Sequence, residues 1–282
     1  MIKACSPRGH PSTTLGIMAS NALDTKINRL IGATGRLPII ATFIRIPLIR
    51  RILLNLPGSR ALYGSGWHVL HPFDRAYGTE TSGFVSTEQL PKDAPNRSAA
   101  IFYAGSQPSI LRAALATLPS VETSTFIDLG CGKGRALLVA SELPFKRIIG
   151  IELSPKLADI AQANAAIVAK RFPRRTAVEV CVADASAYAL PTGDIVLFLY
   201  HPFADYLVAK VVANIEIALQ IEQRRIYAIY YNPVAGHHFD ASLVLSRHLA
   251  CRLPYAPDEL GYGPDSDDSL VIWEGGTNQL RR

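Results

Sequence analysis

An α/β fold with a mostly parallel sheet is predicted by two features of the sequence. Apolar runs rich in Ile and Val alternate with helical patterns between residues 125 and 231, and a glycine-rich turn closes the first of those runs. Strands covered by crossover helices on both faces read as continuous apolar runs, whereas half-exposed strands alternate. "TFIDLG", residues 125–130, is the first strand, and the small and aliphatic residues 133–142 form the first helix. "RIIGIEL" (147–153) is the second strand, the Ala-rich stretch 155–171 the second helix, and "AVEVCVA" (177–183) the third strand. "DIVLFLY" (194–200) and "RRIYAIYY" (224–231) follow as strands, with a helix over about 205–220 between them, and "SLVIWEG" (269–275) closes the sheet.

The chain has 282 residues, 49% hydrophobic and 18% charged, which is enough for one large domain with an extension and describes a globular protein. Its four cysteines, Cys5, Cys131, Cys181 and Cys251, form no CxxC pair and no metal-ligand spacing, as expected of a reduced, cytoplasmic chain. The net charge of +6 is unevenly placed: residues 1–60 hold nine Lys or Arg against Asp24 alone, and residues 61–282 hold 20 basic and 22 acidic residues. The basic character therefore belongs to the N-terminal segment. Within it, "RLPIIATFIRIPLIRRILLNLPG" (36–58) is apolar, but its longest charge-free run, 37–44, is far short of the roughly 20 residues that cross a bilayer. Two short amphipathic helices fit better, packed on the core as a lid or laid on an anionic membrane surface through residues 1–60, with an Arg-rich organelle targeting peptide as the third reading. The organisation expected is a basic, apolar helical extension with lid loops over 1–95 and a catalytic domain over 96–282.

In "FIDLGCGKGR" a carboxylate, Asp128, ends the strand and Gly130, Gly132 and Gly134 follow at alternate positions. In an open parallel sheet, ligands bind outside the carboxyl ends of the strands, where bare glycine backbone and a helix N-terminus can approach them. A dinucleotide site expects G-x-G-x-x-G, and a carboxylate beside its diphosphate is unfavourable. The pattern here, D-x-G-x-G-x-G, suits a ligand that carries a cation and no phosphate, such as S-adenosylmethionine.

These residues resemble the class I S-adenosylmethionine-dependent methyltransferases over about 125–231. The resemblance implies a seven-stranded Rossmann-like methyltransferase sheet, mostly parallel with the last strand antiparallel and with helices on both faces. It implies that Asp128 and the glycine backbone hold the methionine part of the cofactor, that Glu152 binds the ribose hydroxyls and that Asp184 meets the adenine amino group, with Tyr200 completing the cofactor set. "YGTETSG" ahead of the core matches the YGxxTxG segment of bacterial-type class I members, and its pairing with "DLGCGKGR" also resembles protein-lysine methyltransferases of the same fold.

"FLYHPF" (198–203) stands where amine-directed members carry N-P-P-F or D-P-P-Y, and departs from them in having His201 at the polar position and one proline, Pro202. Amide and adenine-nitrogen acceptors are therefore disfavoured. The expected acceptor pocket joins Pro202 and Phe203 to Tyr77 and Tyr103 in the loops before the core, with His201 as general base and Glu80 as its substitute; an amine that arrives neutral needs neither. The function expected is methyl transfer to an unidentified acceptor, a protein side-chain amine or a small molecule or lipid, and a non-catalytic cofactor-binding module is the alternative of a different class. Nucleic acid is disfavoured by the near-neutral charge beyond residue 60. "YYNP" (230–233) ends a strand at the ligand edge. "AGHHFD" (235–240) offers two adjacent histidines that a helix would point apart, with no third ligand indicated, so no metal site is expected.

Overall fold

The computed structural model describes residues 70–85, 103–200, 203–262 and 267–276. The expectations for residues 1–60 lie outside these residues, and so do those for His201 and Pro202. Residues 70–259 and 267–276 belong to one compact unit.

A small helix, α1 (Pro72–Tyr77), and a two-stranded ribbon, β1 (Phe84–Val85) with β2 (Tyr103–Ala104), precede α2 (Pro108–Leu115) and the sheet. The sheet then alternates as β3 (Thr125–Leu129), α3 (Arg135–Ala140), β4 (Arg147–Glu152), α4 (Pro155–Arg171), β5 (Val178–Val182), β6 (Ile195–Tyr200), α5 (Asp205–Ile221) and β7 (Arg225–Tyr231). It closes with a short helix α6 (His237–Asp240), β8 (Leu245–Pro254) and β9 (Asp267–Gly276). The spatial order is β5-β4-β3-β6-β7-β9-β8. The first five of these strands run parallel, while β9 pairs antiparallel with both β7 and β8, so the last strand is the reversed one. This is the seven-stranded class expected.

Local signals explain the helices that bear on the site. Ser154 caps α4 by accepting from Leu157 N, Pro155 stands at its first position, and Lys170 and Arg171 sit in the last turn, where cations favour the helix dipole. α4 buries Leu157, Ala158, Ala161, Asn164 and Val168, and α5 buries Leu207, Val208, Val211, Val212, Ile215 and Ala218, in each case a stripe at helical spacing. Every residue of β3 is buried, as a central parallel strand requires. The edge strand β8 alternates exposed and partly buried residues instead, so an apolar-run criterion passes over "LSRHLACRLP". No helix among the described residues is long and apolar enough to cross a membrane, and no disulfide forms among them.

The chain switches direction in the sheet between β3 and its neighbour β6, which opens a crevice at the carboxyl end of β3. Asp128 and the glycine turn lie there.

Candidate functional site

Gly130, Gly132 and Gly134 all have positive φ, 83°, 54° and 85°. Gly132 is held by space as well as by dihedral, since a Cβ on it would come within 2.2 Å of the Tyr103 ring. The loop is tied to the next strand by Gly130 N and Cys131 N, which both donate to Ile151 O at 2.9 and 3.0 Å. Glu152 completes the tie, accepting from Gly132 N at 2.8 Å and from Ser154 N at 2.9 Å, one bond to each carboxylate oxygen.

Asp128 and Glu152 are only 3% and 7% exposed. Burial pushes the Asp128 carboxyl well above the usual carboxylate range, with the Glu152 charge adding to it. Burial also raises Glu152, against backbone hydrogen bonds from Ser154, Gly132 and Leu153. No described residue donates a hydrogen bond to the Asp128 carboxylate, and the pair lies at the carboxyl ends of β3 and β4. Two adjacent buried carboxylates, one of them without a donor, fit a ligand that brings an ammonium and a pair of hydroxyls. Asp184, at the end of the next strand, caps a single 3-10 turn, its Oδ1 accepting from Ser186 N and Oγ at 2.9 and 2.8 Å.

The two cations of the glycine turn face a strap that precedes the core. Lys133 Nζ donates to Ser82 O at 2.7 Å and Glu80 Oε1 at 3.1 Å. Arg135, 4% exposed, donates to Thr81 Oγ1, Thr81 O and Ser106 O, and lies 3.8 Å from Asp74. Burial works against the Asp74 anion, but hydrogen bonds from Ser82, Thr81 and Thr79, together with the Arg135 charge, hold its carboxyl below the ordinary range. The stretch expected to be a polar lid loop is thus a helix, α1, followed by an extended strap pinned to the glycine turn.

Three of the expected site residues have well-defined partners of their own. Glu80 is ion-paired to Lys133, and its backbone is bonded both ways to Asn164 of α4. These contacts tie it to α4 and to the glycine turn. Tyr77 stacks on Phe73 at 4.4 Å, meets Phe172 and donates to Glu142 at 2.8 Å. Glu142 and Phe172 follow the last turns of α3 and α4, so Tyr77 packs beside the C-terminal ends of these helices. Phe203, 7% exposed, belongs to the core cluster with Leu207 and Phe239. Tyr103, by contrast, does lie on the glycine turn, donating to Thr81 O at 2.6 Å, and burial raises its hydroxyl pKa so that it is a neutral phenol.

On the far side of β3, the carboxyl ends of β6 and β7 bring Tyr200 against Tyr231, with ring centroids 4.3 Å apart. Asp268, at the start of β9, accepts from Tyr231 OH at 2.8 Å and from Tyr255 OH at 2.5 Å. Burial pushes both of these phenols up, so they remain donors. Tyr255 and Asp268 are absent from the sequence reading, where Asp268 falls in the acidic turn "GYGPDSDDS". The expectation of no third ligand near "HHFD" is also overturned: Asp205, at the start of α5, lies 3.3 Å from His237 Nε2 and 2.9 Å from His238 Nε2.

Comparison with known proteins gives one match to a family model, described as a methyltransferase domain, over residues 127–220. Comparison with curated proteins gives no match. Among solved structures, the chain is similar to an RNA methyltransferase from Salinibacter ruber in complex with S-adenosyl-L-homocysteine, at 17% identity over 64% of this chain and 98% of that one, with a TM-score of 0.40. It is similar to ribosomal protein L11 methylase from Lactobacillus delbrueckii subsp. bulgaricus at 15% identity, over 58% and 76% of the two chains, with a TM-score of 0.38. The YcgJ protein from Bacillus subtilis gives 13% identity over 60% and 98%, with a TM-score of 0.40. Residues 127–220 thus match a methyltransferase-domain model, and the seven-stranded order with its reversed last strand is a Rossmann-like methyltransferase fold.

Proposed function

We propose that the chain is an active methyltransferase whose acceptor is an amine on a protein side chain. The observation that carries this reading is the cluster at the carboxyl edge where the half-buried Tyr200 stacks on the buried Tyr231, and Tyr231 and the buried Tyr255 both donate to the half-buried Asp268 carboxylate. Aromatic faces and an anion together favour a cationic group on an apolar stem, such as a lysine side chain, over a phosphate-rich polymer. The near balance of charge beyond residue 60, 20 basic against 22 acidic, supports the same choice.

S-adenosylmethionine, when bound, supplies the methyl group as part of a sulfonium. The chain's own residues do the rest. Asp128 answers the cofactor's positive charge, the glycine turn gives its backbone a close approach, and Glu152 accepts from its ribose hydroxyls. Each Glu152 oxygen keeps a lone pair beyond the backbone bond it already accepts. Asp184 is the residue for the adenine edge. Orientation of an acceptor at near-attack distance supplies on the order of 7–11 kcal/mol of such a displacement, so the tyrosine cluster acts chiefly by positioning. An ammonium acceptor loses its proton to solvent water before transfer, and Asp268 is the anion that would hold its cationic form at the site.

The test is label transfer from radioactive cofactor to a lysate separated into protein, nucleic-acid, lipid and small-molecule fractions. Label enters protein and is lost in Asp268→Asn while cofactor affinity is kept. Label in the lipid, small-molecule or nucleic-acid fraction overturns the protein-amine reading, and label in no fraction, from a chain that binds the cofactor, identifies a non-catalytic binding module.

A further inference from the structure

The histidine pair of "AGHHFD" is used neither by the cofactor site nor by the tyrosine cluster. Adjacent residues on a helix point about 100° apart, so convergence of both rings needs a partner with two acceptor atoms. Asp205 is that partner: its Oδ1 lies 3.3 Å from His237 Nε2 and its Oδ2 2.9 Å from His238 Nε2. The rings are 4.1 Å apart, and one ligand atom from each residue falls within 4.8 Å of the other two. Donor atoms about 2.0–2.2 Å from a tetrahedral zinc stand roughly 3.3 Å from one another, so small side-chain rotations bring these three to that spacing.

The neighbouring carboxylate of the motif is engaged elsewhere. Asp240 accepts from Arg247 Nε at 2.7 Å and from Trp273 Nε1 at 3.0 Å, which leaves Asp205 alone to serve the histidines. As the first residue of α5, Asp205 favours the helix dipole unaided, and that role does not call for two imidazole nitrogens. His237 and Asp205 are exposed, with side-chain values of 63% and 61%, so an ion has a path in and open positions once bound.

We propose that Asp205, His237 and His238 form a binding site for one divalent ion of the zinc class, on the carboxyl edge of the sheet where α5 and α6 begin. Two imidazoles and one carboxylate are a borderline ligand set, suited to zinc and its neighbours rather than to magnesium or calcium. Three protein ligands leave a fourth position for water or a ligand atom, as in sites that take part in chemistry and unlike closed structural sites.

The full chain, stripped with a chelator and dialysed against zinc chloride with a competing chromophoric chelator, tests this through metal content alone, so the outcome is independent of methyl transfer. The result expected is one zinc per chain, with cobalt giving the intense visible absorption of a tetrahedral site. His237→Ala, His238→Ala and Asp205→Ala each weaken binding by about 100-fold or more, since loss of an outer-shell partner alone costs 10–100-fold. His248→Ala, on β8 and paired with Glu274 at 3.3 Å, leaves it unchanged. Failure of the wild-type chain to take up stoichiometric zinc overturns the proposal. So does zinc that survives all three substitutions, which would place it on other groups.

Discussion

The carboxyl edge of the sheet is built in two ways on the two sides of β3. Toward β4 and β5, the polar groups come from one stretch of chain, Asp128 to Asp184, and are set by backbone conformation: three glycines with positive φ, and a carboxylate clamped by amides of the turn itself. Toward β6, β7 and β9, the groups are side chains at the ends of separate strands, Tyr200, Tyr231, Tyr255 and Asp268. The first side recognises a ligand whose shape is fixed. The second is a partly buried cluster whose chemistry resides in a few side chains.

Substitutions should therefore separate the two sides, and the largest separation is expected at Glu152. Glu152→Ala removes charged acceptors from a buried site and should weaken S-adenosylhomocysteine binding by about 2–4 kcal/mol, while Asp268→Asn leaves that affinity within experimental error. Equal losses in the two variants, read by calorimetry, would erase the distinction between the sides.

A smaller effect, opposite in sign, is expected on stability. Asp128 has its folded pKa raised by burial and by Glu152, so the folded chain keeps a proton that the unfolded chain releases. Its contribution to stability is present below the unfolded carboxylate value of about 3.9 and declines as pH rises from there toward the folded value. Asp128→Asn should remove this slope and raise the ligand-free melting temperature at neutral pH by about 2–4 °C, roughly 1 kcal/mol for a unit of this size. Cofactor binding should show the reverse dependence in the wild type, tightening as pH rises and Asp128 ionises against a cation. A lower melting temperature in Asp128→Asn would mean that the carboxylate stabilises the fold and is not held for a ligand.

The smallest effect sharpens the comparison by marking what belongs to neither side. Tyr77→Phe loses the hydrogen bond to Glu142 and the longer one from Arg175 and should cost about 0.5–1.5 kcal/mol in denaturant unfolding, with cofactor affinity and turnover unchanged. A change in turnover would return Tyr77 to the acceptor pocket.

The same contrast explains what the sequence made legible. The strands from 125 to 231 and the turn at Asp128 are visible because burial on both faces writes itself as apolar runs and because positive φ demands glycine. Glu152 is visible through its place at the end of the next strand. The acceptor edge is harder to read because tyrosines at strand ends look like core, and because Tyr255 and Asp268 meet Tyr231 only through the reversed pairing of β9. The contacts of Phe203 and Tyr77 are hard to read for a related reason: an aromatic near a ligand edge in sequence can turn inward or lie beside helix C-termini in space. The pairing of Asp205 with both histidines depends on α5 and α6 beginning side by side, which no local pattern records.

The central claim is that the buried pair Asp128 and Glu152 on the glycine turn is a cofactor site. Calorimetric titration of the full chain with S-adenosylmethionine tests it most directly. One site per chain is expected, with binding weakened by about 2–4 kcal/mol in Glu152→Ala. Absence of binding heat with either S-adenosylmethionine or S-adenosylhomocysteine, or an affinity that Glu152→Ala leaves unchanged, would contradict it.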